Sequence, residues 1–317
     1  MSERISTRNP VLFLRRANVP VKRAMGWLPD YPDFRDYTVR TDTVEDRFRR
    51  LGETHSVASM LERIGVGKVK PRPKVNYRRY CSPVEDQGEL GSCTAHAGIG
   101  LLEYYERRVH GRHLDASRLF LYKATRNLMG LAGDTGAFLR TTMGAMRLFG
   151  VPPEQYWPYE VARFDEEPSA FCYSFAREYQ SMQYFRLDPP SMTRDKVLAA
   201  IRETLAGGVP SMFGFVVYDS YEQAESDGRI PFPCPREKRL GGHAVVAVGY
   251  DDGMEVTNEL GGESTKGAIL IRNSWGKEWG DRGYGWLPYE YVIRGQALDW
   301  WSLLKSEWVD VGEFGEG

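Results

Sequence analysis

The hydrophobic period of this chain changes once along its length, and that change restricts the fold more than any other feature. Up to about residue 149 the apolar residues recur at helical spacing. Ala95, Ile99, Leu102 and Tyr105 share one face of a helix expected over 92–109, and 117–128 and 138–149 read as further helices. From residue 210 the pattern becomes short apolar runs bounded by Gly and Asp. Pro210–Val217, His243–Tyr250 and Gly267–Asn273 read as strands of a meandering antiparallel sheet, with 251–266 as a loop inserted between the last two. A helical half followed by a strand half is an α+β arrangement.

Residues 1–73 differ from both halves. Gly26–Tyr37 combines Pro29 and Pro32 with aromatic residues and Asp, which favours an extended backbone. Thr43–Asp46 looks like a capped helix start, followed by Val44, Phe48 and Leu51 at helical spacing. A second helical run is Val57, Met60, Leu61 and Ile64, closed by Gly65. The basic, proline-bearing stretch Lys68–Lys74 then predicts a domain boundary near 73.

Several function classes are excluded early. The net charge of −1 gives no electrostatic reason for a nucleic-acid or anionic-membrane partner. No apolar run approaches the ~20 residues of a membrane helix. Val11–Leu14 is short and runs directly into Arg15 and Arg16, a poor secretory leader, so a cytoplasmic location or export by another route is expected. The cysteines, at 81, 93, 172 and 234, form no CxxC and no Cys/His pair at zinc spacing. Neither a metal nor a disulfide scaffold is expected. Gly241–Gly242 and the glycines near 261 lack the context of a phosphate loop, and no cofactor is implied.

The chemistry concentrates around Cys93. It falls at the first turn of a predicted helix, where the helix dipole and unpaired N–H groups favour thiolate. Gln87 lies six residues earlier across a glycine-bearing loop, able to donate to an oxyanion beside the Cys93 N–H. Singly, these residues have ordinary readings: a buried small thiol, a solvated Gln, a core His243, a turn Asn273.

Together they resemble the papain-like, or cathepsin-type, cysteine peptidases. Gln87-Gly88-x-x-Gly91-Ser92-Cys93 resembles that family's glutamine and nucleophile motif. Gly242-His243-Ala244-Val245 with Val248-Gly249-Tyr250 resembles its histidine strand. Arg272-Asn273-Ser274-Trp275-Gly276, Trp279-Gly280 and Gly283-Tyr284-Gly285 resemble its asparagine motif and the turn behind it. Gly133-Asp134-Thr135-Gly136 resembles the glycine wall of its cleft. The similarity spans about 75–295, and Cys93 and His243 are 150 residues apart.

The resemblance implies a two-lobe fold, with a helical lobe over about 81–205 and an antiparallel, barrel-like β lobe over about 206–300 within a peptidase domain of 74–317. It implies that Cys93 attacks a peptide carbonyl, His243 carries the proton, Asn273 orients the imidazole and Gln87 stabilises the oxyanion. Gly133, Gly136, Gly242 and Trp279 are assigned to substrate binding. Trp275 is expected to cover the His–Asn bond, with plain core packing as the alternative for Trp275 and Trp279. Residues 1–73 are expected to be a self-inhibitory pro-segment lying in the cleft, with the Trp27–Tyr37 prolines near the thiol and a mature start near Lys74. A permanent bracing extension is the alternative. Departures from the family are Leu90 where a cysteine is common, Thr94 where an aromatic is common, and Asn76 where Asp is usual. The partner expected is a peptide or protein substrate. The competing functions are a thiol acyl-transferase or amidase, and a non-catalytic peptide-binding protein on the same scaffold.

Overall fold

Gly65, Gly111 and Gly130 each stop a helix at positive φ (87°, 62° and 67°), a conformation that costs glycine nothing. The computed structural model describes residues 23–50, 52–68, 70–177, 182–262, 264–311 and 314. The N-terminal 22 residues, including the weak leader-like patch at Val11–Leu14, lie outside the described residues.

The extension contributes strand β1 (Trp27–Leu28), helix α1 (Asp46–Arg49) and helix α2 (Val57–Ile64). In α2 the Ser56 side chain accepts the Ser59 N–H at 3.2 Å, and all four predicted apolar residues are buried. Strand β2 (Lys74–Asn76) follows. The helical lobe holds α3 (Cys93–His110), α4 (Arg118–Met129), a two-residue strand β3 (Ala137–Phe138), α5 (Leu139–Phe149) and α6 (Ala170–Ala176). Helix α3 is buried nearly all round, because α4 and α5 cover one side and the sheet covers the other.

The sheet is built from β4 (Gln183–Arg186), β5 (Ser211–Tyr218), β6 (Arg239–Thr257), β7 (Ser264–Arg272), β8 (Tyr284–Pro288) and β9 (Ala297–Leu304). Helix α7 (Arg194–Ala206) precedes β5, α8 (Glu290–Ile293) lies between the last two strands, and α9 (Ser306–Asp310) ends the described chain's helices. Strand order is β4-β9-β5-β6-β7-β8, with β2 added to β6, and the sheet stays open among the described residues rather than closing as a barrel.

Two boundaries differ from expectation. The stretch 251–266 is not a loop. β6 and β7 keep pairing from Glu255↔Lys266 to Thr257↔Ser264, with Val256 and Thr265 turned inward and buried. The helical lobe also ends earlier than 205. β4 pairs with β9 through Phe185↔Ser302, and α7 packs on β6, so both belong to the sheet lobe.

The extension is more than a peripheral strap. Glu53 is 2% exposed and accepts the Ser306 N–H and hydroxyl at the start of α9. Helix α9 packs on α2, while its Trp308 stacks on Tyr105 of α3 at 4.6 Å.

Candidate active site

Cys93 occupies the first residue of α3 and is wholly buried. Ser92 stands at the cap position, but its hydroxyl is taken by Tyr159 at 2.6 Å instead of capping the helix. The Ala95 N–H goes to Ser92 O at 3.0 Å, which leaves the Cys93 and Thr94 N–H groups for the sulfur. The amides of Cys93 and Thr94, together with those of Ala244 on β6 and Gly26 in the extension, face it. Burial nonetheless outweighs these donors and pushes the thiol up to about 11. The depressed value expected from the helix dipole does not hold in this covered state, because the sulfur has lost its solvent.

His243 comes from the buried middle of β6 and lies on the sheet beside α3. Its Nε2 is 2.7 Å from Asn273 Oδ1, and its Nδ1 has no hydrogen-bond partner. That Asn273 oxygen also accepts the Ser274 N–H at 2.8 Å. Trp275 stacks on the imidazole at 4.3 Å between ring centres and 18° between planes. Burial lowers the His243 pKa to about 4 against the opposing effect of Asn273, with a smaller lowering from Arg23. Thiol and imidazole are thus both neutral here. Trp279 is fully buried and packs edge-on against Trp275 at 5.5 Å.

Gln87 is held by both lobes. Its backbone N–H donates to Ser274 O at 2.9 Å, and its Oε1 accepts the Ser274 hydroxyl at 2.5 Å. Tyr159 donates to Gln87 O at 3.0 Å. With Oε1 fixed, Nε2 must point the other way, donating to Leu90 O at 2.9 Å and to Ala24 O at 3.1 Å.

That last contact belongs to the extension, which lies against all of these groups. Arg23 donates to Trp275 O at 2.7 Å. Gly26 O accepts the Ala137 N–H at 2.8 Å, and β1 runs parallel to β3. A Cβ on Gly136 (φ 73°) would stand 2.3 Å from Gly26 O, so only glycine permits this approach. Gly242 lies under the Trp27 carbonyl in the same way. Gly133 does not join them: its surroundings are open, and its N–H goes to Asp165 at 3.1 Å. The residues at the thiol are Ala24–Gly26, not the prolines. Asp30, next to Pro29, and the Tyr31 carbonyl, next to Pro32, instead meet Arg140.

Three further residues shape the site without a sequence signal of their own. Asp134 holds the Gly91 N–H at 3.0 Å and the Tyr122 hydroxyl at 2.5 Å. Tyr159 bridges Ser92 and Gln87. Asp299 accepts the Trp27 indole N–H at 3.2 Å. Asp134 lies inside the quoted Gly133–Gly136 motif, and Tyr159 ends the Gly150–Tyr159 stretch that resembles the family's segment after its second helix, so both were within reach of a motif reading. Among the described residues no His/Cys/Asp/Glu group is arranged to hold a metal ion, and no helix is long and apolar enough to cross a membrane.

The chain is similar to known proteins over most of its length. Residues 72–293 match the model of the papain family of cysteine proteases. An uncharacterized peptidase C1-like protein, L477, of Acanthamoeba polyphaga mimivirus is 31% identical over 289 residues, which cover 89% of this chain and 87% of that protein. Cathepsin K of Gallus gallus is 29% identical over 66% of this chain and 57% of its own length. Among solved structures, xylellain, a cysteine protease from Xylella fastidiosa, aligns with a TM-score of 0.65 at 30% identity, over 90% of this chain and 97% of that one. Bromelain from Ananas comosus shares the fold at a TM-score of 0.53 and 19% identity, over 74% of this chain and 100% of that one. With the family model covering more than half of its length, this chain belongs to the papain family of cysteine peptidases, a hydrolase of peptide bonds with the two-lobe α+β fold.

Proposed function

We propose that the chain is a thiol peptidase using Cys93, His243, Asn273 and Gln87, held closed by residues Arg23–Trp27 of its own extension. The observation that carries the reading is the Gln87 side-chain amide, its oxygen held by Ser274 and its nitrogen donating to a peptide carbonyl of the extension, that of Ala24. With the segment displaced, a substrate carbonyl takes that place. Cys93 sulfur attacks it as His243 Nδ1 takes the thiol proton, and Gln87 Nε2 with the Cys93 N–H receives the oxyanion. His243 then protonates the leaving amine, and water resolves the acyl-enzyme by the reverse route. The Asn273 bond at Nε2, roofed by Trp275, fixes the imidazole and leaves Nδ1 without a partner, available for the thiol proton.

The inhibitory part is short. Arg23–Trp27 occupies the reacting groups, whereas Glu53–Ile64 is core and braces the two chain ends. The exposed stretch around Tyr31 and Phe34, 89% and 96% exposed, is the accessible place for a releasing cut, in preference to the expected site near Lys74. The test compares full-length protein with protein nicked near Phe34, on one small peptide substrate and with a thiol-reactive peptide probe. A gain in turnover and in Cys93 labelling on nicking, absent in Cys93→Ala, is expected. Equal turnover in the two forms refutes inhibition, and absence of labelling in both refutes the enzyme reading.

A further inference from the structure

Trp27 lies flat on the sheet, and the sheet is shaped to receive it. Gly214 on β5 and Gly242 on β6 sit on neighbouring strands, in register through Gly214↔Ala244 and Val216↔Gly242, so both point to one face. A Cβ on Gly214 would stand 1.9 Å from indole Cε2, and one on Gly242 would stand 2.8 Å from Cε3. The three atoms nearest that Cβ belong to Trp27 at both positions, and neither glycine has positive φ. Backbone freedom therefore does not account for them; room for a flat ring does.

The far end of the slot is a carboxylate. Asp299 on β9 is fully buried, and its Oδ2 accepts the Trp27 indole N–H at 3.2 Å and the Asp30 N–H at 2.8 Å. Its Oδ1 is held by Arg186 at 2.7 Å, and Arg186 is held in turn by Asp188 at 2.9 Å. Asp299 also has φ of 58°, an unfavourable backbone state for a non-glycine residue. Arg186 and Asp188, which aim Oδ1, belong to the sheet lobe, and Arg186 is also held by Asp36 and the Tyr37 carbonyl farther along the extension, so the carboxylate keeps its place when Arg23–Trp27 leaves. Its neighbour in the segment, Gly26, presents its N–H to the Cys93 sulfur. The slot thus lies one residue from the reacting centre.

We propose that this slot reads the substrate: the enzyme selects peptides with a tryptophan within two residues of the scissile bond, and Asp299 is the specificity-determining residue. The proposal rests on the reading of Cys93 as nucleophile and of the segment as occupant of its cleft. Once the segment departs, Asp299 Oδ2 loses both donors and the glycine floor is bare. Tryptophan restores the ring contact and the N–H bond together. Phenylalanine covers the floor but leaves a buried carboxylate oxygen unpaired, and sites built around a hydrogen bond discriminate strongly against analogues lacking it. Lysine or arginine brings a donor but no ring, and leaves the glycine floor bare.

Two full-length variants test this on a peptide library. Trp27→Ala empties the slot and leaves its walls intact. Gly214→Ala places a methyl group where Trp27 alone is close, so it unseats the segment and also fills the slot. The Trp27→Ala protein is expected to cleave tryptophan peptides with kcat/KM about ten-fold or more above phenylalanine peptides. The same gap is expected over peptides with benzothienylalanine, which has the indole shape without its N–H. The Gly214→Ala protein is expected to cleave the library with its preference moved to small side chains. Equal cleavage of tryptophan, phenylalanine and leucine peptides by Trp27→Ala overturns the proposal alone, as does a preference for lysine or arginine, or a tryptophan preference kept in Gly214→Ala. If both variants are folded by circular dichroism yet cleave nothing and resist a thiol-reactive peptide probe, the peptidase reading falls and the slot proposal with it.

Discussion

At the residue scale, Gln87 has the most sharply defined task. Ser274 occupies its oxygen, so only its amide nitrogen is left to face a reacting carbonyl. Gln87→Ala in activated protein is expected to lower kcat by roughly 10²–10³ with little change in KM, since one oxyanion donor is worth about 2.7–4 kcal/mol in the transition state. Steady-state kinetics on one peptide decides it, and a near-normal kcat makes Gln87 structural. His96, one turn past Cys93, gives a pH prediction. It is buried, its Nδ1 lies near Ser92, and burial, aided by Arg118, lowers its pKa to about 3. The unfolded imidazole titrates near 6.5, so between pH 6.5 and 3 the unfolded chain binds the extra proton. The stabilising effect of the neutral ring is complete above 6.5 and is lost as pH falls toward 3. Tm is expected to drop over that window, and His96→Gln is expected to flatten the drop. An unchanged slope in the variant removes His96 as its source.

At the element scale, α2 separates the two readings of the extension. Its Val57, Met60, Leu61 and Ile64 are at most 4% exposed, and the helix packs on α9 at the other end of the chain. A disposable pro-segment carries no part of the core. Met60→Ala is expected to cost about 2–5 kcal/mol in urea denaturation of the full chain. Protein cut near residue 74, and so without α2, is expected to unfold at lower urea than protein cut near Phe34. Coincident unfolding curves for the two cut forms establish the whole extension as dispensable. The hairpin of β6 and β7 makes a related point about insertions: residues that lengthen a family loop still alternate inward and outward, and pairing them satisfies their backbone groups without a new core.

At the scale of the whole molecule, no covalent tie holds the lobes. Cys81, Cys93 and Cys172 are buried, Cys234 is partly exposed, and all four are unpaired. The lobes are joined instead by buried polar contacts. Arg272 of β7 reaches Ser82 Oγ at 3.0 Å and Pro83 O at 2.7 Å, and Ser82 in turn donates to the fully buried Glu103 of α3. Arg118 pairs with Glu103 at 3.1 Å on the far side. Such a network is costly to break at one member, because the remaining charge stays buried. Tm is expected to be unchanged by dithiothreitol, with four thiols titrating in denatured protein protected from oxidation. A Tm lowered by reductant establishes a bridge.

The candidate site and the long elements were legible in the sequence because they are local. Cys93 is preceded by its own loop and begins its own helix, His243 lies in one apolar run, and Asn273 opens the Asn273–Trp275 stretch, with α3, α4 and α5 lying within a residue or two of their predicted ranges. Period and capping chemistry act over a few residues and write themselves into adjacent positions. The lobe boundary, the state of the thiol and the occupant of the slot were decided by tertiary structure. A four-residue strand such as β4 has too little pattern to announce its pairing with β9, more than 100 residues later. Burial of Cys93 depends on a segment about 70 residues before it, and the bond between Trp27 and Asp299 joins positions 272 residues apart. The chain by itself determines which groups can react; packing across such separations determines which of them are covered, and by what.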